Sequence, residues 1–213
     1  MHTYAWFSPV YNLFHIYSDR CRHQDNFMIL LPYEESLSKT LTIPSLMTTQ
    51  KNAMDAFAGE SQANRKYLAF SEKAAADGFK NVATLFKAAS EAEAIHAKKL
   101  LKVLGIIDTT QKNLEGSIEG ETHEYSSMYP AFVKEAEAEK KSDAVLAFTL
   151  AMKAEAVHAD LYKKALAALK AGHDLGRESI FLCPVCGNIE IGKVPDKCPI
   201  CGVFGKQFRE ITL

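Results

Sequence analysis

From residue 50 to residue 171, apolar side chains recur at steps of three and four, the period of a helix that turns one face to a core. The pattern breaks at three places and so predicts four long helices, over residues 50–77, 79–104, 114–140 and 142–171. Gly78 marks the first break as a left-handed cap, and so short a link leaves the first two helices as antiparallel neighbours. Lys141-Ser142 closes the last pair in the same way, with Ser142 as the expected N-cap. Between the pairs, residues 105–113 reach about 30 Å if extended, enough for one long crossover along a bundle. Pro130 falls inside the third helix, where its missing N–H predicts a kink.

Acids interrupt the apolar stripes. The inward ladder of the second helix runs Phe86, Ala89, Glu93, His96, Leu100, Val103, and that of the fourth runs Val145, Phe148, Met152, Glu155, His158 or Ala159, Tyr162, Leu166, Leu169. In Glu93-Ala-Ile-His96 and Glu155-Ala-Val-His158 a carboxylate and an imidazole therefore share one helix face, three residues apart. One Glu-x-x-His is ordinarily a solvated helix face, but two copies, each on a core seam, reverse that reading. A buried ionised glutamate is unfavourable unless it is paired or holds a metal. The first helix adds Glu60 on the seam Phe57, Glu60, Asn64, Tyr67, and the third adds Glu121 and Glu124 on the seam Glu121, Glu124, Met128. Single glutamates from two helices plus Glu-x-x-His from two others form the carboxylate cage of a two-iron site in a helix bundle. Glu124 is one acid more than that cage needs. Glu119 reads as a solvated acid, and His123 and His173 as an exposed residue and a linker residue.

The chain's end carries a second metal signal. Cys183-Pro-Val-Cys186-Gly and Cys198-Pro-Ile-Cys201-Gly are two knuckles whose four thiolates suit tetrahedral coordination of zinc or iron. A segment as short as residues 179–213 needs such a metal to fold. A disulfide-stapled tail is the competing reading, and spacing alone does not separate zinc from iron.

With these motifs in hand, the chain resembles the rubrerythrins over roughly residues 47–213. The resemblance rests on Ala58-Gly59-Glu60-Ser61-Gln62-Ala63, on Glu93-x-x-His96, on Gly120-Glu121-x-x-Glu124-Tyr125 followed by Met128-Tyr129-Pro130, on Glu155-x-x-His158 and on the four cysteines in order. It implies a mainly α protein, a ferritin-like four-helix bundle with one long crossover, followed by a small rubredoxin-like metal-knuckle domain. The organisation it implies is a di-iron bundle over 47–172, a linker over 173–178 and an Fe(Cys)4 domain over 179–213, preceded by an N-terminal extension over residues 1–46 that has no counterpart in the family. By resemblance, Glu93 and Glu155 bridge two irons, Glu60 is terminal on one, Glu121 and His158 are terminal on the other, and Glu124 and His96 compete for the first. Tyr67 and Tyr129 match tyrosines that hydrogen-bond ligand carboxylates. The implied reaction is reduction of hydrogen peroxide to water. Electrons would arrive singly through the Fe(Cys)4 centre (Cys183, Cys186, Cys198, Cys201) from an external NAD(P)H-linked reductase or rubredoxin, since the chain has no dinucleotide fingerprint. The family also implies a homodimer or higher homo-oligomer.

Composition narrows the remaining classes. With 213 residues, 47% apolar content and a net charge of −1, the chain fits one main globular domain with small appendages. Its basic residues are dispersed among acids without a stripe or stacking platform, which argues against nucleic acid as a partner. Five cysteines, four of them in knuckles, point to a reducing, cytoplasmic setting. Residues 1–46 are aromatic-rich without clean periodicity and hold no apolar run long enough for a membrane span. Little stable structure is expected there, and a start assigned too far upstream is the leading explanation, ahead of a lineage-specific or targeting extension. A ferroxidase or iron-handling role on the same bundle is the alternative function, and a zinc-holding scaffold is the non-enzymatic one.

Overall fold

The computed structural model describes residues 46–212. The expectations for residues 1–45, with His2, His15 and His23, lie outside the described residues. Five helices and a small sheet follow in order: α1 (Leu46–Ala76), α2 (Lys80–Val103), α3 (Thr110–His123), a π turn (Glu124–Met128), α4 (Tyr129–Ala138), α5 (Ser142–Lys170), β1 (Ile180–Leu182), β2 (Ile189–Ile191) and β3 (Arg209–Ile211). The class is the expected one, mainly helical with a cysteine-knuckle domain at the end. None of the helices among the described residues is long and apolar enough to cross a membrane.

Helix ends obey one rule. At Gly78, Gly105, Lys140 and Gly172 the chain turns left-handed, and the N–H one residue further on bonds back five residues. The four bonds are Phe79 to Ala74, Ile106 to Leu101, Lys141 to Ala136 and His173 to Ala168. This is the Schellman closure, which satisfies carbonyls that the helix leaves without partners. Lys140, at φ 58°, does it with a Cβ in the way. The left-handed well costs a side-chain-bearing residue roughly 1–2 kcal/mol, against roughly 0.5–1 kcal/mol of extra chain entropy lost by glycine. Lys140→Gly is therefore expected to stabilise the fold by about 0.5–1 kcal/mol, read as a higher denaturant midpoint, and a lower midpoint would refute the account.

Two expectations are corrected. Ser142 is the first residue of α5 rather than its cap, which falls on Lys141 without a side-chain bond, because the Schellman turn before it already fixes the entry of the chain. The third helix starts at Thr110, four residues before the expected point. Thr109 caps it by accepting from the Lys112 N–H at 3.3 Å. Asp108 accepts from the Thr109 N–H and from Lys112, whose ammonium holds the carboxyl below the usual range. Asn113 closes the loop by bonding Asp108 at both its N–H and its carbonyl. The connection between α2 and α3 thus shrinks to residues 104–109.

Pro130 also acts differently from a simple kink. The helix widens just before it: the Tyr129 N–H reaches back five residues to the Glu124 carbonyl, and Pro130 then sits in the first turn of α4, where no N–H is needed.

The helices pair as two hairpins. α1 lies against α2, while α3, the π turn and α4 lie along α5. Among the described residues, no Cα of α1 or α2 comes within 8 Å of one in α3, α4 or α5. The three short strands form an antiparallel sheet in the order β2-β1-β3, and β2 packs against α5.

Candidate metal centres

In the first hairpin a polar clasp sets the register. Asn64 on α1 donates to the Ser90 carbonyl at 2.7 Å and to its hydroxyl at 3.0 Å, and the Ser90 hydroxyl donates back to the Asn64 carbonyl at 2.9 Å. Ser90 is buried, so the three bonds are sheltered from water. One turn from this clasp stand Glu60 on α1 and Glu93 and His96 on α2, each offering a ligand atom within 4.8 Å of the others. The His96 Nδ1 is 2.8 Å from Glu93 and 3.9 Å from Glu60. A hydrogen bond with Glu93 raises the pKa of Glu60, with burial and the charge of Glu93 adding to it.

The second hairpin repeats the arrangement. Glu121 on α3 and Glu155 and His158 on α5 gather three ligand atoms, again within 4.8 Å of one another. Burial, then a hydrogen bond with Glu155 and the charge of Glu155, push Glu121 up to about 7. The His158 Nδ1 stands 2.6 Å from Glu155. Carboxylates that must share a proton to lie this close are a donor set a cation would relieve. Glutamate and imidazole together suit iron.

The hairpins match position by position. Phe86, Glu93 and His96 in α2 have the same spacing as Phe148, Glu155 and His158 in α5. Tyr67, Phe70 and Phe86 form an aromatic cluster with centroids 5.6–6.3 Å apart, and Tyr129, Phe132 and Phe148 form its counterpart at 5.7–6.2 Å. Glu60 precedes Tyr67 by seven residues, whereas Glu121 precedes Tyr129 by eight. The π turn absorbs that extra residue. It opens on Glu124, the surplus acid, whose pKa is raised by burial and by Glu155, although Glu124 is not among the three clustered donors.

Tyrosines line the second cluster. Tyr129 is raised by burial and by the charges of Glu124, Glu155 and Glu121, and Tyr162 by burial and by Glu121 and Glu155. Among the described residues neither Tyr67 nor Tyr129 makes the hydrogen bond to a carboxylate that the resemblance implied; both instead pack on phenylalanines. Tyr162 was treated only as a seam residue, yet its place on the Glu155 stripe, seven residues on, was the available signal. His123 and His173 are exposed, as expected.

The four cysteines converge as free thiols. Sulfur–sulfur distances are 3.6 Å for Cys183–Cys201 and for Cys186–Cys198, close to the ~3.75 Å edge of a tetrahedron with ~2.3 Å metal–sulfur bonds. Those distances exclude a disulfide staple. Backbone bonds fold each knuckle back on itself: Gly187 N–H to Cys183, Cys183 N–H to Asn188, Gly202 N–H to Cys198 and Cys198 N–H to Val203. Burial raises Cys186 and Cys201. At Cys198 burial acts in the same direction, but the N–H groups of Cys201 and Ile200 outweigh it and the pKa falls.

One bond ties the two kinds of centre together. The His158 Nε2 lies 2.9 Å from the carbonyl of Gly187, the residue after Cys186. Donating there fixes the tautomer and leaves Nδ1 as the ligand atom. The cysteine knuckle therefore reaches the carboxylate cluster of its own chain. Gly187 could not be found from sequence, because nothing in Cys-Gly-Asn announces which helix its carbonyl will meet.

Known proteins resemble both parts of the chain. Residues 51–166 match the family described as Rubrerythrin, and residues 181–209 match the rubrerythrin rubredoxin-like domain. The chain is 34% identical to Rubrerythrin-2 of Clostridium acetobutylicum over 75% of this chain and 97% of that one. It is 36% identical to Nigerythrin of Nitratidesulfovibrio vulgaris over 72% and 82% of the two chains. A solved structure of nigerythrin in a partially reduced state covers 81% of this chain and 91% of that one at 33% identity, with a TM-score of 0.47. The residues fit two irons in a carboxylate-histidine centre and one in a four-cysteine site, and the chain belongs to the rubrerythrin family.

Proposed function

We propose that the protein is a peroxidase of the non-haem di-iron type, reducing hydrogen peroxide by H2O2 + 2 H+ + 2 e− to 2 H2O. In this reading Glu60, Glu93 and His96 from the first hairpin and Glu121, Glu155 and His158 from the second would together hold the irons, with Glu93 and Glu155 as the donors shared between them. Glu124, which opens the π turn, would be the alternative donor to His96, because a metal that gained positive charge would favour a carboxylate over a neutral imidazole. The irons supply reversible two-electron storage when bound.

The remaining work falls to the chain. His158 is held by Gly187, the neighbour of Cys186, so a path of covalent bonds with one hydrogen bond runs from the knuckle to a candidate ligand. That bond is the observation that carries the reading. An iron-storing bundle has no need of a thiolate centre wired to its ligands, whereas a peroxidase that must be re-reduced after each turnover does. Tyr129 and Tyr162 keep their protons beside the carboxylates and add polar edges to an otherwise apolar wall. The electrons come from an external NAD(P)H-linked reductase or a rubredoxin, in a reducing, cytoplasmic compartment that keeps the four thiols free.

Rapid mixing of the anaerobically reduced, iron-loaded protein decides the matter. Oxidation by peroxide should outpace oxidation by dioxygen by at least about tenfold, with the ferric-thiolate colour appearing after the bundle oxidises. Faster reaction with dioxygen would make the protein a ferroxidase instead, and a colourless, zinc-loaded protein would make it a scaffold.

A further inference from the structure

Along most of the chain basic residues are interspersed with acids, but one stretch departs from that. Residues 193–209 carry four cations, Lys193, Lys197, Lys206 and Arg209, against the single acid Asp196, in a chain whose net charge is −1. All four cations are exposed. Among the described residues, none of them pairs with a carboxylate.

Two of these charges meet on one ring. The Lys197 ammonium stands 5.4 Å from the centroid of Phe204 and that of Lys206 stands 5.8 Å from it, although Phe204 is itself 56% exposed. Cations favour the face of an aromatic ring, but two like charges gathered there repel each other and are eased by an anion from outside. The backbone holds the ring in place. Lys197 and Phe204 face each other across an antiparallel bridge, the Gly205 N–H donates to the Asp196 carbonyl at 2.8 Å, and the Cys198 N–H donates to the Val203 carbonyl at 2.8 Å. Gly205 passes so close to Pro195 that a Cβ built there would meet the Pro195 carbonyl oxygen at 2.0 Å. Val194, Pro195 and Phe204 give the resulting shallow cleft its apolar part, while Lys206 and Asp196 bring charge to its rim. A fixed apolar contact among charges mainly of one sign suits a transient protein partner, since the charges steer the encounter and the ring supplies the contact.

The place of the cleft says what arrives there. Lys197 precedes Cys198 and Phe204 follows Cys201 by three residues, so the bridge between them lies against the second knuckle. The first knuckle is the one that turns Gly187 to His158. One knuckle thus meets the carboxylate cluster, and the other carries the exposed basic patch. A four-cysteine iron changes by one electron, so its donor is a one-electron carrier and not a hydride donor. One ring makes no stacking track for a nucleic acid.

We propose that Lys197, Phe204 and Lys206, beside the knuckle of Cys198 and Cys201, form the docking face for the electron donor, and that this donor is a protein with an acidic contact surface. An apolar group of the donor rests on Phe204 while carboxylates around it meet Lys197 and Lys206, and Lys193 and Arg209 widen the basic field. One electron passes to the ferric four-cysteine iron, which becomes ferrous, and the donor is oxidised by one electron; no bond forms or breaks. This rests on the reading that the four-cysteine centre is re-reduced from outside.

Anaerobic stopped-flow reduction of the full-length, iron-loaded protein tests it, read as loss of the ferric-thiolate absorption and not as peroxide turnover. The probe is reduced flavodoxin of net negative charge, a one-electron flavoprotein. Its rate constant should fall as salt is added, and Lys197→Glu with Lys206→Glu should lower it at least about tenfold at low ionic strength. Phe204→Ser should lower it at every salt concentration. Photogenerated lumiflavin semiquinone, small and uncharged, needs no steering and should reduce every form at rates within about twofold of one another, which shows the iron site intact. Lys140→Glu with Lys141→Glu makes the same change of net charge just before α5 and should leave the flavodoxin rate unchanged. A rate indifferent to salt, no loss in the Lys197 and Lys206 pair, or an equal loss in the Lys140 and Lys141 pair overturns the docking face. Retention on phosphatidylglycerol vesicles with no effect of the Lys197 and Lys206 pair on the flavodoxin rate would assign the patch to a lipid surface instead. A centre that lumiflavin reduces and flavodoxin does not overturns the docking face and spares the relay; one that neither reduces overturns both.

Discussion

Replacing Glu155 with glutamine is expected to lower peroxide turnover by more than about 100-fold, the upper end of what losing even an outer partner of a metal ligand does. Glu155 is central to the second cluster. It hydrogen-bonds to Glu121, stands 2.6 Å from His158, and its charge raises Glu121, Glu124, Tyr129 and Tyr162. Under the proposed assignment it would also be a donor to the irons, so the iron content should fall with the rate.

The metal-free protein gives the same substitution a second readout. Glu121 titrates at about 7 in the folded chain, against the model-peptide value of 4.5. The folded state thus holds the proton more tightly than the unfolded state. Its contribution to stability is fully present below about pH 4.5 and is lost as pH rises through 7. Metal-free protein should accordingly melt at a lower temperature at pH 8 than at pH 5.5. Glu155→Gln removes the facing charge and should flatten that slope, leaving the part due to burial. A variant that kept both its iron and the slope would show that Glu121 and Glu155 do not act together.

Cys198→Ser is expected to unfold the C-terminal segment while sparing the helices. Three strands of three residues each enclose almost no apolar core, and the most buried groups are Cys183 and Cys198 themselves with Asn188. A four-thiolate metal supplies on the order of 10–16 kcal/mol of binding free energy in comparable small domains, and that is folding energy. Serine cannot replace the thiolate. Loss of the ferric-thiolate colour and protease cleavage after residue 172, with helical circular dichroism retained, is the expected result. The Gly187–His158 bond would go with the domain, so reduction of the bundle by an external donor should slow even where the irons remain bound. A coloured, protease-resistant variant would refute the account.

Helix positions, both Glu-x-x-His pairs and both cysteine knuckles were legible because they depend on spacings within one helix or one turn. Glu93 must share a face with His96 whatever surrounds them, since the helical period places them there. Cys183 and Cys186 are likewise brought together by a tight turn. The early start of α3 was missed because Thr109 and Asn113 act through side-chain bonds to Asp108, which outweigh the polar, non-periodic look of that stretch. The π turn was read as a kink at Pro130, although the eight-residue spacing from Glu121 to Tyr129, set against seven from Glu60 to Tyr67, already recorded the extra residue.

By itself the sequence determined the chemistry on offer: six donors for a carboxylate-histidine site, a spare glutamate and four thiols for a second centre. Only the tertiary structure decided how these are shared out. It divided the six donors into two triads on separate hairpins, joined them by residues 104–109, and hung the cysteine knuckle on His158 through Gly187. The physical reason is range. Local periodicity fixes which residues share a face, but which faces meet depends on the length of the link and on apolar surfaces far apart along the chain, and neither is written in the spacing of any one motif.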